Sequence, residues 1–288
     1  MSPPVLEGRR AIITGASRGL GEALARTFWD AGASLLLVAR SRDALKQVAD
    51  ALPPRDRQTV LIFPADLAQP GAADAIVGCA EEQWREWDIL INNAGTQGPI
   101  GPLWTNDWSE WVRTLQINLL SPVALCRASV PHMRTGGVII NVAGGGAAAS
   151  RPNFSAYATS KAAVVRFTEV LADELRPRKI RVNAIAPGVL PTELLRSVLH
   201  AGAERAGERD YAAARAALER FDPHAFEAPA RLCLWLASPE ASEITGKFLS
   251  AVWDPWPELP QHIRDVVDSD VYTLRRIVPR DRGLSWGF

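Results

Sequence analysis

The amino-acid sequence predicts a doubly wound, parallel α/β sheet folded as one domain. Two observations predict it. Short apolar runs alternate with helical patterns along most of the chain, and those runs are apolar on consecutive residues, as strands covered on both faces must be. The first run, Ala11-Ile12-Ile13, leads directly into a glycine-rich turn and then a helix, which aims free backbone N–H groups at the end of a strand. A length of 288 residues with 47% hydrophobic and 22% charged residues suits one large domain with a full core, and no internal repeat or low-complexity run divides it.

After the first strand comes Thr14-Gly15-Ala16-Ser17-Arg18-Gly19-Leu20-Gly21, then a helical pattern through Leu24, Phe28 and Trp29 to Gly32. Glycines let the backbone approach a pyrophosphate, and a helix N-terminus adds partial positive charge, so strand, glycine loop and helix together point to a dinucleotide. The spacing Gly15, Gly19, Gly21 differs from the G-x-G-x-x-G of most dinucleotide folds. Ser34–Ala39 is the second strand, ending in Ala39-Arg40-Ser41-Arg42. A carboxylate there would hold a ribose 2′-hydroxyl. None is present, and the guanidinium groups of Arg40 and Arg18 suit a 2′-phosphate, so NADP(H) is expected in preference to NAD(H).

A helix follows over Asp43–Leu52, stopped by Pro53-Pro54, then a strand over Thr59–Pro64 with Ala65-Asp66-Leu67 at its end. A helix over Ala72–Trp84 precedes a strand over Asp88–Ile91, which runs into Asn92-Asn93-Ala94-Gly95. Trp108 and Trp111, three apart, read as core or interface anchors at the start of one long helix through Asn118 towards Val130. Val138–Val142 is the fifth strand and leaves through Ala143-Gly144-Gly145-Gly146-Ala147. The next helix, Ala156–Leu175, carries Tyr157 and Lys161 four apart on one face. The ammonium is expected to favour the phenolate and lower the Tyr157 pKa, which would make this tyrosine a general acid or base near pH 7.

Ile180–Ala186 is the sixth strand, ending in Pro187-Gly188-Val189-Leu190-Pro191-Thr192. Residues 193–226 are rich in Ala, Arg and Glu and interrupt the alternation, so they are expected to form a mobile substrate lid. A helix over Pro229–Ala237 and a strand over Lys247–Val252 complete a dinucleotide-binding domain of residues 1–252. Residues 253–288 form an extension with a helical stretch near His262–Arg276, expected to pack on that domain or at a subunit interface. Lys+Arg and Asp+Glu balance at 32 each, which leaves no global field for nucleic acid or anionic membrane. Cys79, Cys126 and Cys233 are scattered and odd in number, and His200 and His262 lack ligand partners. No metal site or disulfide framework is expected, and a reducing compartment is. The N-terminus lacks the apolar core of a signal peptide and no apolar run is of membrane-spanning length, so the expected location is cytoplasmic.

Together the motifs Thr14-Gly15-x-x-x-Gly19-x-Gly21, Asn92-Asn93-Ala94-Gly95, Asn118, Tyr157-x-x-x-Lys161 and Pro187-Gly188-x-x-x-Thr192 resemble the short-chain dehydrogenase/reductase family, in its order and spacing, over residues 8–252. The resemblance implies a Rossmann-like fold, a nicotinamide cofactor, a small-molecule substrate and a homotetramer or homodimer. It implies that Gly15, Ser17, Arg18, Gly19, Leu20 and Gly21 border the pyrophosphate side of the cofactor, with Arg40 nearby. Asp66 and Leu67 would lie by the adenine, and Asn93, Ala94 and Gly95 along the adenosine side. Lys161 would hold the nicotinamide ribose beside Tyr157, and Pro187, Gly188 and Thr192 would border the carboxamide or phosphate. Tyr157 would exchange the proton, with Asn118 supporting a water relay to Lys161.

The family's catalytic serine stands thirteen residues before the tyrosine, and that position is Gly144. Losing one such donor costs about 10²–10³ in rate. Three explanations stand open. Backbone N–H groups of Gly144, Gly145 and Gly146 replace the hydroxyl. Alternatively Ser150, Ser155 or Thr159 supplies another, or the reaction itself has changed. The expected activity is ketone–alcohol interconversion. The alternatives are a net non-redox step (epimerisation, elimination or cyclisation) and non-catalytic NADP binding.

Overall fold

The structure is a computed structural model, and residues 4–220, 222 and 224–286 are described. Positions 1–3 of the expected domain, Phe221 and Pro223 of the 193–226 segment, and Gly287 and Phe288 of the extension lie outside the described residues. Seven strands form one sheet: β1 (Arg10–Thr14), β2 (Ser34–Ala39), β3 (Val60–Pro64), β4 (Trp87–Asn92), β5 (Met133–Val142), β6 (Arg181–Ala186) and β7 (Phe248–Ser250). Their order is β3-β2-β1-β4-β5-β6-β7 and every pairing is parallel. The chain winds outward from β1 to β3, then returns to place β4 on the other side of β1. This reversal opens a crevice at the C-terminal ends of β1 and β4, the usual ligand position in such sheets.

The connecting helices are α1 (Gly19–Asp30), α2 (Arg42–Asp50), α3 (Ala72–Trp84), α4 (Trp108–Leu115), α5 (Ser121–Ser129), α6 (Ser155–Glu174), α7 (Glu193–Ala206), α8 (Glu208–Glu219), α9 (Glu227–Ala237) and α10 (Ile263–Val267). Consecutive strand residues feed opposite faces, as the two-residue period requires. Ile13, Leu35 and Leu37 join a core with Leu24 and Phe28 of α1 and Leu232 and Leu236 of α9. Ile12, Leu36 and Val38 join another with Ile76 and Ala80 of α3, Leu125 of α5 and Leu171 of α6. Helices therefore cover both faces, and the doubly wound fold read from the sequence is the observed one.

Four segments differ from the sequence expectations. The long helix expected from Trp108 to Val130 runs through that span but carries a π turn at Gln116–Leu120, between α4 and α5. Strand β5 begins at Met133, because Met133 pairs with Trp87 before a register shift admits Gly136 and Gly137. The expected strand Lys247–Val252 is only Phe248–Ser250, and the helical stretch near His262–Arg276 is only Ile263–Val267. Trp108 stacks on Trp111 with ring centroids 5.2 Å apart but is 68% exposed, so it is not a core anchor of this chain.

Part of the chain after β7 returns to the core. Trp256, Leu259 and Val266 are buried in the α1–α9 cluster, and the Trp256 and Trp235 rings lie 6.0 Å apart. The backbone N–H of Phe248 donates to Tyr272 O at 2.8 Å, and Lys247 Nζ donates to Ser269 O and Val271 O. The chain's own C-terminal segment thus lies along β7.

Candidate active site

The glycine turn is shaped by contacts that admit no side chain. A Cβ built on Gly21 would lie 2.0 Å from Gly15 O, and one on Gly15 would lie 2.9 Å from the Ala94 Cα. Gly15 and Gly19 have φ of +66° and +57°, which favour glycine. Thr14 ties this turn to the end of β4: its hydroxyl accepts from Asn93 N and Ala94 N at 3.0 and 3.1 Å, and its carbonyl accepts from Asn93 Nδ2 at 2.9 Å. Arg18 precedes α1 in an extended conformation and places no side-chain cap on it. The first N–H groups of α1 therefore face the crevice without a side-chain acceptor, which fits a pyrophosphate there.

Strands β1 and β2 run in register from Arg10↔Ser34 to Thr14↔Val38, so the residues just past their ends share one edge of the crevice. Arg40, just past β2, and Arg18, at the start of α1, are both exposed, and neither forms an ion pair among the described residues. Ser41 caps α2, accepting from Ala44 N at 3.2 Å. Asp66 accepts from Ala68 N at 3.0 Å and lies 3.5 Å from the Arg113 guanidinium, with Leu67 half-buried after it. In the turn and the start of α1, Ser17 is half-buried and Leu20 buried, and past β6 Pro187 is buried. Gly188 has φ +89°, and Gly19 faces the Thr192 methyl, 3.4 Å from where its Cβ would stand.

At the other end of the crevice lie Tyr157 and Lys161, both buried on α6. Lys161 Nζ donates to Val142 O at 2.8 Å and lies 5.8 Å from the Tyr157 ring centroid. A Cβ on Gly95 would lie 3.4 Å from Asn118 Oδ1 and 3.5 Å from Lys161 Nζ, so these three groups converge. Asn118 sits in the π turn, accepts from Thr96 N at 2.8 Å, and donates to Thr96 O and Ser160 Oγ at 2.9 and 3.1 Å.

Electrostatics at the pair differ from the expected lowering of Tyr157. Burial pushes the Tyr157 phenol above its ordinary value, and the charge that opposes the rise is the Arg151 guanidinium. The physical reason is desolvation: a phenolate in an apolar pocket loses more hydration than a lysine committed to a backbone carbonyl returns. Burial likewise lowers the Lys161 ammonium to about 8.

Gly144 is buried with φ +149°, and a Cβ built on it would lie 2.6 Å from the Tyr157 hydroxyl. The phenol therefore reaches the backbone where a side chain would begin. Of the hydroxyls considered as replacements, Ser150 and Thr159 are exposed, and Ser155 Oγ accepts from Trp111 Nε1 at 3.1 Å.

A family model for short chain dehydrogenases matches residues 9–203 of this chain. The chain belongs to the short chain dehydrogenase family. Among curated relatives, the 3beta-hydroxysteroid dehydrogenase 1 of Eggerthella lenta is 34% identical over 256 residues, covering 85% of this chain and 92% of its own. Among solved structures, the angucycline C-6 ketoreductase LanV with bound NADP aligns with TM-score 0.72 at 28% identity, covering 86% of this chain and 95% of LanV. Carveol dehydrogenase from Mycobacterium avium in complex with NAD aligns with TM-score 0.74 at 25% identity, covering 86% and 97%. This short chain dehydrogenase is thus an oxidoreductase of a fold that binds nicotinamide cofactors and acts on small molecules. No described helix is long and apolar enough to cross a membrane. Among the described residues no group of three or more His, Cys, Asp or Glu could hold a metal.

Sequence reasoning missed two residues of the dehydrogenase's Tyr157 neighbourhood. Arg151 lies with its guanidinium carbon 3.7 Å from the Phe154 ring centroid and 5.7 Å from that of Tyr157. Ser160 Oγ joins Asn118 to the Tyr157 carbonyl. The cation–aromatic spacing Arg151-x-x-Phe154 was the one local signal; the fold supplies the rest.

Proposed function

We propose that this chain is an NADP(H)-dependent oxidoreductase interconverting a ketone and a secondary alcohol, with Tyr157 as the proton donor or acceptor. The observation that carries the reading is the convergence of Tyr157, Lys161, Asn118, Gly95 and Gly144 at the inner end of the crevice. Support for a ketone or alcohol comes from the similarity to a hydroxysteroid dehydrogenase and a ketoreductase. The walls around Tyr157 favour an apolar substrate body, since Ile100, Phe154, Val198 and Leu194 pack with it.

The cofactor would lie with its pyrophosphate on Gly15, Ser17, Gly19, Leu20 and Gly21, and its adenosine side along Asp66, Leu67, Asn93, Ala94 and Gly95. Its ribose would meet Lys161, and its carboxamide end Pro187, Gly188 and Thr192. Arg18 at the start of α1 and Arg40 just past β2 favour NADP(H), because unpaired guanidinium groups suit a 2′-phosphate where no carboxylate at the end of β2 holds a 2′-hydroxyl. When bound, the nicotinamide supplies or takes the hydride. In reduction Tyr157 gives its proton to the substrate oxygen, and in oxidation it takes it. Lys161 holds positive charge at the Val142 carbonyl beside it, and Asn118 fixes the Thr96 backbone next to Gly95, whose Cβ position lies 3.5 Å from Lys161 Nζ. The backbone N–H groups of Gly144–Gly146 stand in for the absent hydroxyl, a role supported by the exposure of Ser150 and Thr159 and the engagement of Ser155. Gly144 also favours a second reading, a net non-redox step in the same pocket.

Apolar ketones and secondary alcohols offered with NADPH or NADH, followed by nicotinamide absorbance, test the proposal. Turnover that is faster with NADPH, and loses that preference in Arg40→Ala, is expected. Product formed without net NADPH consumption would instead establish the non-redox reading. Exposed Trp108 and Val112 on α4 and Leu120 in the π turn after it favour a homodimer or homotetramer, which light scattering would weigh.

A further inference from the structure

Helices α7 and α8 close over Tyr157. Val198, Ala206 and Ala214 are buried in one apolar cluster with Ile100, Phe154 and Tyr157, and Tyr211 packs against it. Two polar contacts seat these helices on the loops beside the site. Arg205 of α7 donates to Ile100 O at 2.9 Å. Asp210 of α8 receives Arg151 Nε at 2.7 Å, in a pair whose side chains are only 21% and 26% exposed. Arg151 belongs to the loop between β5 and α6, on the Phe154 face and next to the Tyr157 ring.

The charged groups facing the phenol are therefore few. From α6 there is Lys161, bound to Val142 O. The preceding loop contributes Arg151, α7 contributes Arg205 at the edge of the cluster, and α8 contributes Asp210, which partly neutralises Arg151. We propose that the Arg151–Asp210 ion pair couples the seating of the α7–α8 lid to the proton affinity of Tyr157, with Arg151 as a positioning residue acting through the phenol. With α8 seated, Asp210 offsets the guanidinium and the phenol holds its proton. When α8 lifts, Asp210 leaves with it and the full charge of Arg151 falls on Tyr157, which releases its proton more easily. A guanidinium remains charged throughout, so only the distance to its carboxylate changes. The functional meaning of the coupling rests on Tyr157 being the proton-transfer residue.

The test follows Tyr157 directly by NMR of the full chain with 13Cζ-labelled tyrosine. The chain has three tyrosines, and Tyr157→Phe assigns the signal of interest. Arg151→Met and Asp210→Asn both break the pair yet change its charge in opposite senses. The phenol titration should move up in Arg151→Met and down in Asp210→Asn, each by about one pH unit. The double variant should return towards wild type, and Arg151→Lys, which keeps the charge, should stay close to it. Shifts of the same sign in both single variants, or none, would overturn the proposal. So would Arg151→Lys behaving as Arg151→Met, which would reduce the arginine to packing on Phe154. Because the NMR titration needs no turnover, a Tyr157→Phe enzyme that keeps its activity would fail the catalytic reading without deciding this one.

Discussion

At the scale of single residues, the site turns on a glycine and a lysine. Gly144 has the φ of +149° that disfavours a side chain, and its missing Cβ position lies 2.6 Å from the Tyr157 hydroxyl. Putting back the family's serine should therefore harm the enzyme: Gly144→Ser would strain the backbone and displace the phenol. Turnover is expected to fall at least about tenfold, while the ordinary value of one well-placed donor is about 10²–10³ in the other direction. Steady-state rates of Gly144→Ser and Gly144→Ala check this, and a gain in the serine variant would contradict it. Lys161 carries the opposite conflict, between function and stability. Its folded pKa of about 8 lies below the ordinary 10.5, so between those values the unfolded chain binds more protons and stability rises with pH. Below pH 8 the charged, buried ammonium is a constant penalty. Lys161→Met should then be more stable than wild type at pH 7 by about 1 kcal/mol, after allowing for the unpaired Val142 carbonyl. The gap should narrow from pH 8 to 10.5 in urea melts, and the variant should not turn over. These residues were legible as a motif, because four-residue spacing on a helix needs no knowledge of the fold. The direction of the Tyr157 shift was not, because it depends on how α7 and α8 bury the phenol. Arg151 was missed for the same reason: its partner Asp210 is 59 residues away.

Among the secondary-structure elements, the glycine turn and α1 show why some glycines are fixed and others free. Gly21 could not carry a Cβ without meeting Gly15 O, so Gly21→Ala should cost about 1–3 kcal/mol and weaken nucleotide binding. Gly78, inside α3, has nothing within 4 Å of its Cβ position, so Gly78→Ala should gain about 0.5–1 kcal/mol. Thermal melts of the two variants should move in opposite directions. The sequence carried the strands β1, β2, β4 and β6 well, since runs such as Leu35-Leu36-Leu37-Val38 are apolar on both faces. It misplaced the start of β5, where Gly136-Gly137 reads as a turn but stands inside the strand next to a register shift. It also missed the π turn around Asn118, for which Pro122, two residues past its end, was the one local signal of a disturbed helix.

For the whole molecule, the C-terminal segment is part of the core. Removing residues 253–288 would strip Trp256, Leu259 and Val266 from the α1–α9 cluster and uncover the Phe248 N–H that meets Tyr272. The shortened chain should melt earlier and associate through the bared β7 edge, which calorimetry and light scattering would detect. The intact molecule brings together two ends of one crevice, the glycine turn with its unpaired Arg18 and the buried Tyr157–Lys161 pair, and the proposed role of the second end is to move the proton. The most direct measurement is single-turnover nicotinamide oxidation by Tyr157→Phe with an accepted ketone, with NADPH affinity read on the same sample by tryptophan quenching. Unchanged NADPH affinity and at least a hundredfold slower turnover are expected, taking about 10²–10⁴ as the worth of a positioned acid. A Tyr157→Phe enzyme that binds NADPH and turns over at the wild-type rate would contradict it.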